Sequence, residues 1–140
     1  MVASTLNTIE IKKASEINVE AQLLSDVLCN GGITGSIAFT VSNYITAGNY
    51  DFALSPNNGT FTQTGDVITY TGLTAANYTF TVTDRTSGCT DNVTNFLVNQ
   101  PTAPLSFTMN ATNISCNNKN ATITVTAAGG TPAYSYARCS

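Results

Sequence analysis

The most reactive side chains in this sequence of 140 residues are four cysteines, Cys29, Cys89, Cys116 and Cys139. Thiolates form a zinc site when two of them stand a few residues apart and further Cys or His ligands follow at a similar spacing. No two of these cysteines form a CxxC pair, and the chain contains no His. The spacing therefore argues against a metal-thiolate site and leaves disulfides or free thiols as the alternatives.

Catalytic groups are scarce. Acid–base catalysis in proteins most often uses His, which this chain lacks. A Ser or Thr nucleophile would need a different base, for which the lysines available are Lys12, Lys13 and Lys119. We therefore predict that the protein is not an enzyme.

Three aspartates are candidates for a calcium site. Asp84 and Asp91 flank the predicted loop "RTSGCT", and with Asp66 they could bind Ca²⁺ together with loop carbonyls. The chain has no dense DxDxD run, so the alternative is that each is a strand-end or turn carboxylate. We predict no cofactor, with Ca²⁺ at these three residues as the alternative.

Two tyrosines border the segment "SNYITAGNY" at residues 42–50. Exposed tyrosines can stack on sugar rings, because the ring offers a flat apolar face with a polar tip. Tyr50 fits a core position, so Tyr44 is the candidate ligand contact. The partner it would bind is a surface polysaccharide.

Charge excludes several classes of partner. Charged residues make up 9% of the chain, the net charge is −3, and five basic residues are scattered along it: Lys12, Lys13, Arg85, Lys119 and Arg138. Nucleic acids and anionic lipid surfaces need a clustered basic patch. No apolar run approaches the ~20 residues of a membrane span. We expect neither nucleic-acid binding nor membrane insertion, and the cysteines with Thr-rich, Lys-poor strands favour an exported protein.

Apolar and polar residues alternate along almost the whole chain, with the period of two that is typical of half-buried strands. Turn signals such as "NGG", "SPNNG", "TGD" and "AGGTP" separate the runs. Short strands at this spacing predict an all-β, immunoglobulin-like antiparallel β-sandwich. The apolar sets are Ile9 and Ile11; Ile17, Val19 and Ala21; Ile37, Phe39 and Val41; Tyr50 and Phe52; Val67 with Thr69; Tyr78, Phe80 and Val82; Phe96 and Val98; Leu105, Phe107 and Met109; Ile123 and Val125; Tyr134 and Tyr136.

The stretch "TGLTAANYTFTVTD" at residues 71–84 predicts the centre of this sandwich. Leu73 followed five residues later by Tyr78 has the pattern of a tyrosine corner, in which the phenol bonds to the backbone upstream. Phe80 and Val82 then point inward, and the intervening threonines point to solvent. The predicted core is Ile37, Phe39, Val41, Phe52, Leu73, Tyr78, Phe80 and Val82.

The sequence contains an internal repeat. "DVLCNGGITGSIAFTV" at 26–41 is matched by "NISCNNKNATITVTA" at 113–127, and Cys29 and Cys116 are 87 residues apart (116 − 29). Repeats of this length are usually separate small domains joined in series. We predict the last strand of a preceding repeat at 1–14, a complete sandwich at 15–101, a Pro-stiffened linker at 102–104, and the first strands of a following repeat at 105–140.

Five motifs in order give the sequence a family resemblance: "CNGG…GSI…V" at 29–41, "GLTAANYTFTVTD" at 72–84, "GCT" at 88–90, "NQP" at 99–101 and "GGTPAYSY" at 129–136. Together they resemble SprB repeats of very large cell-surface adhesins in gliding Bacteroidetes-type bacteria. The resemblance implies an exported, immunoglobulin-like building block of a surface filament that is linked to gliding motility and attachment, with neighbouring repeats as partners. The alternatives are a carbohydrate-binding module and a filament subunit that exchanges strands through the exposed edges near residues 5–12 and after 105.

The resemblance also implies one disulfide per repeat, between Cys29 and Cys89. Strand counting opposes this pairing, because five intervening strands would put the two cysteines at opposite ends, beyond the ~7 Å between Cα atoms that a disulfide spans. A bond between neighbouring repeats is the alternative. In either case the truncated following repeat leaves Cys116 without its usual partner, and Cys139, at the far end of the predicted hairpin, is the alternative partner.

Overall fold

The computed structural model describes residues 16–114 and 120–137, and within these residues all regular structure is β-strand. The nine strands of the described part are β1 (Asn18–Ser25), β2 (Gly35–Ser42), β3 (Tyr50–Ser55), β4 (Thr60–Thr64), β5 (Val67–Leu73), β6 (Ala76–Asp84), β7 (Thr90–Val98), β8 (Ser106–Ala111) and β9 (Ile123–Ala128). No helix in the described residues is long and apolar enough to cross a membrane. The predicted strand at Ile9 and Ile11 lies outside the described residues.

The first seven strands form two antiparallel sheets that pack face to face. One sheet has the order β1-β2-β5-β4 and the other the order β3-β6-β7. This arrangement confirms the predicted all-β antiparallel sandwich. Strands β1 and β7 lie at sheet edges on the same side of the sandwich, where they contact each other.

The core confirms most of the predicted residues. Seven of the eight are 0–2% exposed: Ile37, Phe39, Val41, Leu73, Tyr78, Phe80 and Val82. The rings of Phe39 and Phe80 stack across the two sheets, with centroids 4.0 Å apart and planes 7° from parallel. Phe52 is half-buried and packs with its ring against Phe61 at 5.2 Å and Phe80 at 5.8 Å. Each fully buried side chain of this size stabilises the fold by roughly 1.5–3 kcal/mol.

In β5 the prediction of Val67 with Thr69 as the inward set was wrong. Ile68 and Tyr70 are buried at 0% and 5% exposure, whereas Val67 is 37% exposed. A strand shifted by one residue turns its whole apolar set to the other face. Ile68 and Tyr70 together bury more apolar surface than Val67 and Thr69, and the tight turn at Gly65 and Asp66 fixes the phase.

The tyrosine corner is confirmed. The hydroxyl of Tyr78 donates to Asn58 Oδ1 at 2.7 Å and lies 2.9 Å from the carbonyl oxygen of Thr74, four residues upstream. Tyr78 is completely buried. Its hydroxyl therefore fixes the crossover from β5 to β6 and also the β3–β4 loop, which carries Asn58.

We expect the Tyr78→Phe substitution to lower the free energy of unfolding by about 1–3 kcal/mol, because it leaves polar groups of Asn58 and Thr74 without their partner. Urea denaturation at neutral pH measures this loss. The matched control is Tyr136→Phe, which makes the same chemical change on a tyrosine that is 62% exposed. Equal stability of the two variants would contradict the structural role of the corner.

The two remaining described strands, β8 and β9, form a separate hairpin that repeats the geometry of β1 and β2. Val19 pairs with Val41 and Ala21 with Phe39 in the first hairpin. Phe107 pairs with Ala127 and Met109 with Val125 in the second. These pairs occupy equivalent positions in the sequence repeat, so both hairpins have the same register.

Candidate functional site

Asp84 is the one buried charged residue of the described chain. One carboxylate oxygen accepts from the backbone N–H of Ile45 at 2.9 Å, and the other accepts from the N–H groups of Thr86 at 2.7 Å and Ser87 at 3.3 Å. These donors, led by Ile45, favour the charged form and lower the pKa of Asp84. The sequence "DRTSG" forms a turn in which the aspartate bonds to the backbone that follows it.

Tyr44 and Asp66 form a second contact that holds the loop at residues 43–49, which also contains Ile45. The hydroxyl of Tyr44 donates to Asp66 Oδ2 at 2.6 Å, and this hydrogen bond raises the pKa of Tyr44. The Tyr44 ring is half-buried and lies 5.7 Å from the ring of Tyr50, which is buried as predicted. Tyr44 therefore anchors the loop at 43–49, and its predicted role as a ligand contact stays a prediction.

Asp91 joins the two edge strands. Its carboxylate accepts from the backbone N–H of Val19 at 2.9 Å and lies 3.5 Å from the side-chain amide of Asn18. In the described residues no group of three Cys, Asp or Glu side chains is placed to hold a metal ion, so Asp66, Asp84 and Asp91 do not converge. Each of the three accepts hydrogen bonds from the protein itself, as the strand-end or turn alternative expects.

We expect Asp84→Asn to lower the thermal unfolding midpoint at pH 7, because an amide of either orientation turns an NH₂ group toward backbone N–H donors. The pKa of Asp84 is lower in the folded state than in the unfolded chain, so its stabilising effect is complete above the ordinary carboxyl pKa of about 3.9. That effect is lost as the pH falls through the lowered value.

The difference in thermal unfolding midpoint between wild type and Asp84→Asn should accordingly be largest near pH 7 and shrink below about pH 4. Thermal melts monitored by circular dichroism across this range measure it. Asp51→Asn is the control, because that carboxylate is 63% exposed and its partner Arg85 is exposed as well. A difference that stayed constant with pH would contradict the role assigned to the Asp84 carboxylate.

The disulfide implied between Cys29 and Cys89 is not formed, and both cysteines are free thiols in the structure. Five strands, β2 to β6, separate them, so they lie at opposite ends of the sandwich. The nine-residue strand β6 alone spans about 30 Å at ~3.3 Å per residue, far beyond the reach of a disulfide. Cys116 and Cys139 lie outside the described residues, so the alternative pairings stay predictions.

The end of the sandwich that carries Cys29 is where the first seven strands connect to the second hairpin. The side-chain amide of Asn30 donates to the carbonyl oxygen of Pro101 at 2.8 Å, and the backbone N–H of Gly31 donates to Gln100 Oε1 at 2.7 Å. The hydroxyl of Thr131, which follows β9, donates to the carbonyl oxygen of Leu28 at 3.1 Å. We call this set of contacts the joint, formed by residues 28–31, 100–101 and 129–131.

Neighbouring bonds hold the two sides of the joint in place. Val27 N–H donates to the carbonyl oxygen of Asn99 at 2.9 Å, and Asn99 N–H donates to Asp26 Oδ1 at 2.7 Å. On the hairpin side, Gly130 N–H donates to the carbonyl oxygen of Ala103 at 2.9 Å. Gly129 has a φ of +73°, and a Cβ at this position would lie 2.0 Å from the carbonyl oxygen of Pro104. Glycine is therefore required where the turn meets the linker.

The second hairpin exposes an apolar face. Phe107, Met109 and Ile123 are 64–67% exposed, although their equivalents in the first hairpin face the covered side of β1 and β2. Residues Leu105, Val125 and Tyr134 line a groove of about 900 Å³ on this face. A hairpin alone buries too little surface to be stable in water. Self-association through the exposed strand edges after residue 105 stays a prediction. The other strand predicted to pair between chains, near residues 5–12, lies outside the described residues.

The family model of the SprB repeat matches the chain twice, at residues 23–59 and 108–137. This match confirms the resemblance to SprB repeats for these two segments. Each matched segment contains the end of the first strand and the whole second strand of one hairpin, so the SprB match and the equal register of the hairpins identify the same equivalence. SprB repeats occur in cell-surface proteins of the adhesin type. No curated protein and no solved structure shows significant similarity to the chain.

The residues at both ends of the sandwich could be identified from the sequence, but most of their partners could not. The roles of Asp84 and Asp66 in holding the 43–49 loop were not predicted, although an aspartate directly after a long strand and before "RTSG" is a recognisable turn signal. The joint was also missed. Its partners are 69 to 103 residues apart, and no local pattern indicates contacts at that separation.

Proposed function

We propose that this protein is a structural spacer segment of a bacterial cell-surface adhesin, and that its function is mechanical and not catalytic. The observation that carries the proposal is the path of the chain through the sandwich. Strand β1 begins at the end that holds Asp84, because Asn18 pairs with Ser42 next to the 43–49 loop. Strand β7 finishes at the opposite end, where Val98 pairs with Ala76 and the linker begins.

This path suits a fibre under tension. Because the chain enters at one end and leaves at the other, each repeat adds its full length, about 30 Å for a nine-residue strand, to the fibre. Tension along the fibre then acts parallel to the terminal strands. The ladders between β1 and β2 and between β6 and β7 are loaded in shear, so many hydrogen bonds resist together.

The loops at the Asp84 end also support a spacer more than a ligand-binding module. Asp84, Asp66 and Tyr44 make their hydrogen bonds with the protein's own backbone and side chains. In the described residues of this end, these three side chains are therefore already engaged within the fold. In a gliding bacterium, an adhesin assembled from such segments would carry a distant adhesive region to the substratum and be moved along the cell surface.

A module exchange in the parent adhesin tests the proposal. We expect replacement of residues 16–101 by an unrelated β-sandwich of similar end-to-end length to preserve attachment and movement of the cells, because a spacer contributes length and strength. Deletion of the same residues should shorten the fibre and reduce attachment. Antibodies to the segment should label intact cells, and external protease should remove that label.

The matched control for ligand binding is Tyr44→Ala in the native segment. A spacer predicts unchanged attachment of the variant cells and no binding of the purified chain to a glycan array. Loss of attachment both on exchange of the sandwich and in Tyr44→Ala would contradict the spacer function and favour the carbohydrate-binding alternative.

A further inference from the structure

Three of the five sequence motifs meet at the joint. They are the Cys-Asn-Gly loop after β1, the Asn-Gln-Pro segment after β7 and the Gly-Gly-Thr turn after β9. We infer that the Cys-Asn-Gly loop of one SprB repeat is the docking site for the linker and the Gly-Gly-Thr turn of the following repeat, and that it fixes the angle between neighbouring repeats. This inference rests on the proposed spacer function and names its partner, the next repeat of the same chain.

Each residue at the joint supplies the donor, acceptor or backbone conformation that its contact requires. Asn30 supplies an amide donor that reaches the carbonyl oxygen of Pro101, which lies beyond the end of β7 and still needs a donor. Gly31 has a φ of +75°, and its N–H points to the side chain of Gln100. Pro101 restricts the backbone of Gln100 to extended conformations, so the Gln side chain stays near this loop.

The following repeat contributes through its own turn. Thr131 donates to the Leu28 carbonyl oxygen, which is the direct bond from the second hairpin to the first repeat. Gly129 and Gly130 let the turn lie against the linker, with Gly130 N–H bonded to Ala103. The turn therefore fixes the hairpin to the linker, and the Cys-Asn-Gly loop fixes both to the sandwich.

The hydrogen bonds of the joint restrict rotation between the repeats more than a proline linker alone would. A short Pro-containing linker is semi-rigid and still permits rotation between the domains it joins. Contacts on two sides of the linker, to Gln100 and Pro101 and to Thr131, remove that rotation. Because the second repeat carries "CNN" at residues 116–118 in the position of "CNG" at 29–31, the same joint would recur at the next boundary. Residues 116–118 lie outside the described residues.

The test uses the complete, isotope-labelled chain in solution. Residual dipolar couplings of amides in β1–β7 and in β8–β9 should fit one alignment tensor in the wild type. We expect the double variant Asn30→Ala, Gln100→Ala to need two tensors. In Gln100→Ala alone, hydrogen exchange at the Gly31 amide should accelerate by about tenfold or more, while exchange at Val27 stays unchanged.

Asn57→Ala is the matched control, because Asn57 is an exposed loop residue near the same end whose side chain makes no hydrogen bond to the described residues. Cross-strand contacts between Phe107 and Ala127 show whether the hairpin stays folded in each variant. Separate tensors in the wild type with the hairpin folded would overturn the inference, as would a Gly31 amide that exchanges at the unprotected rate.

The outcomes of this test are separable from those of the module exchange. Dipolar couplings and exchange rates are measured on the purified chain, without cells or ligand. One tensor together with failure of the module exchange would retain the joint and reject the spacer function. Two tensors together with a successful exchange would reject the joint and leave a flexibly linked spacer.

Discussion

The odd number of strands in the sandwich determines most of what the protein can do. Seven antiparallel strands bring the chain in at one end and out at the other. The same constraint separates Cys29 from Cys89, so a repeat of this topology cannot be closed by a disulfide between them. It also puts the linker next to the loop after β1, and that proximity makes the joint available. Length, thiol chemistry and the contact between repeats therefore have one geometric origin.

The sandwich needs few charged residues, because the backbone N–H groups in the loops at its ends find hydrogen-bond acceptors within the protein. Loops at strand ends present backbone N–H groups that must be hydrogen bonded or hydrated. Asp84, Asp66 and Asp91 each accept bonds from such donors or from a tyrosine, and together they hold the 43–49 loop and the β1–β7 edge. The apolar interior, centred on the stack of Phe39 and Phe80, then provides the hydrophobic stabilisation that holds the two sheets together.

Local patterns in the sequence predicted most of the fold. Alternation predicted the inward residues of β1, β2, β3 and β6, and the spacing of Leu73 and Tyr78 predicted the corner. The phase of β5 was not predictable from alternation, because apolar or β-prone residues occupy both faces of "VITYTGL". It depends on the turn before the strand and on the packing of Tyr70 against Phe39 and Phe80. The joint depends on pairs of residues up to 103 positions apart, which no periodicity encodes.

Single-molecule force spectroscopy of the sandwich tests the central claim, that the repeat is a load-bearing spacer stretched from end to end. Pulling at residues 18 and 98 should give one cooperative rupture and a length gain of about 25 nm. Some 80 residues at ~3.5 Å each extend to about 28 nm, from which the folded span of about 3 nm is subtracted. Its force should clearly exceed that for pulling at residues 18 and 42, which peels β1 from β2 one pair at a time. Equal forces in the two directions, or gradual extension without a rupture, would contradict the account.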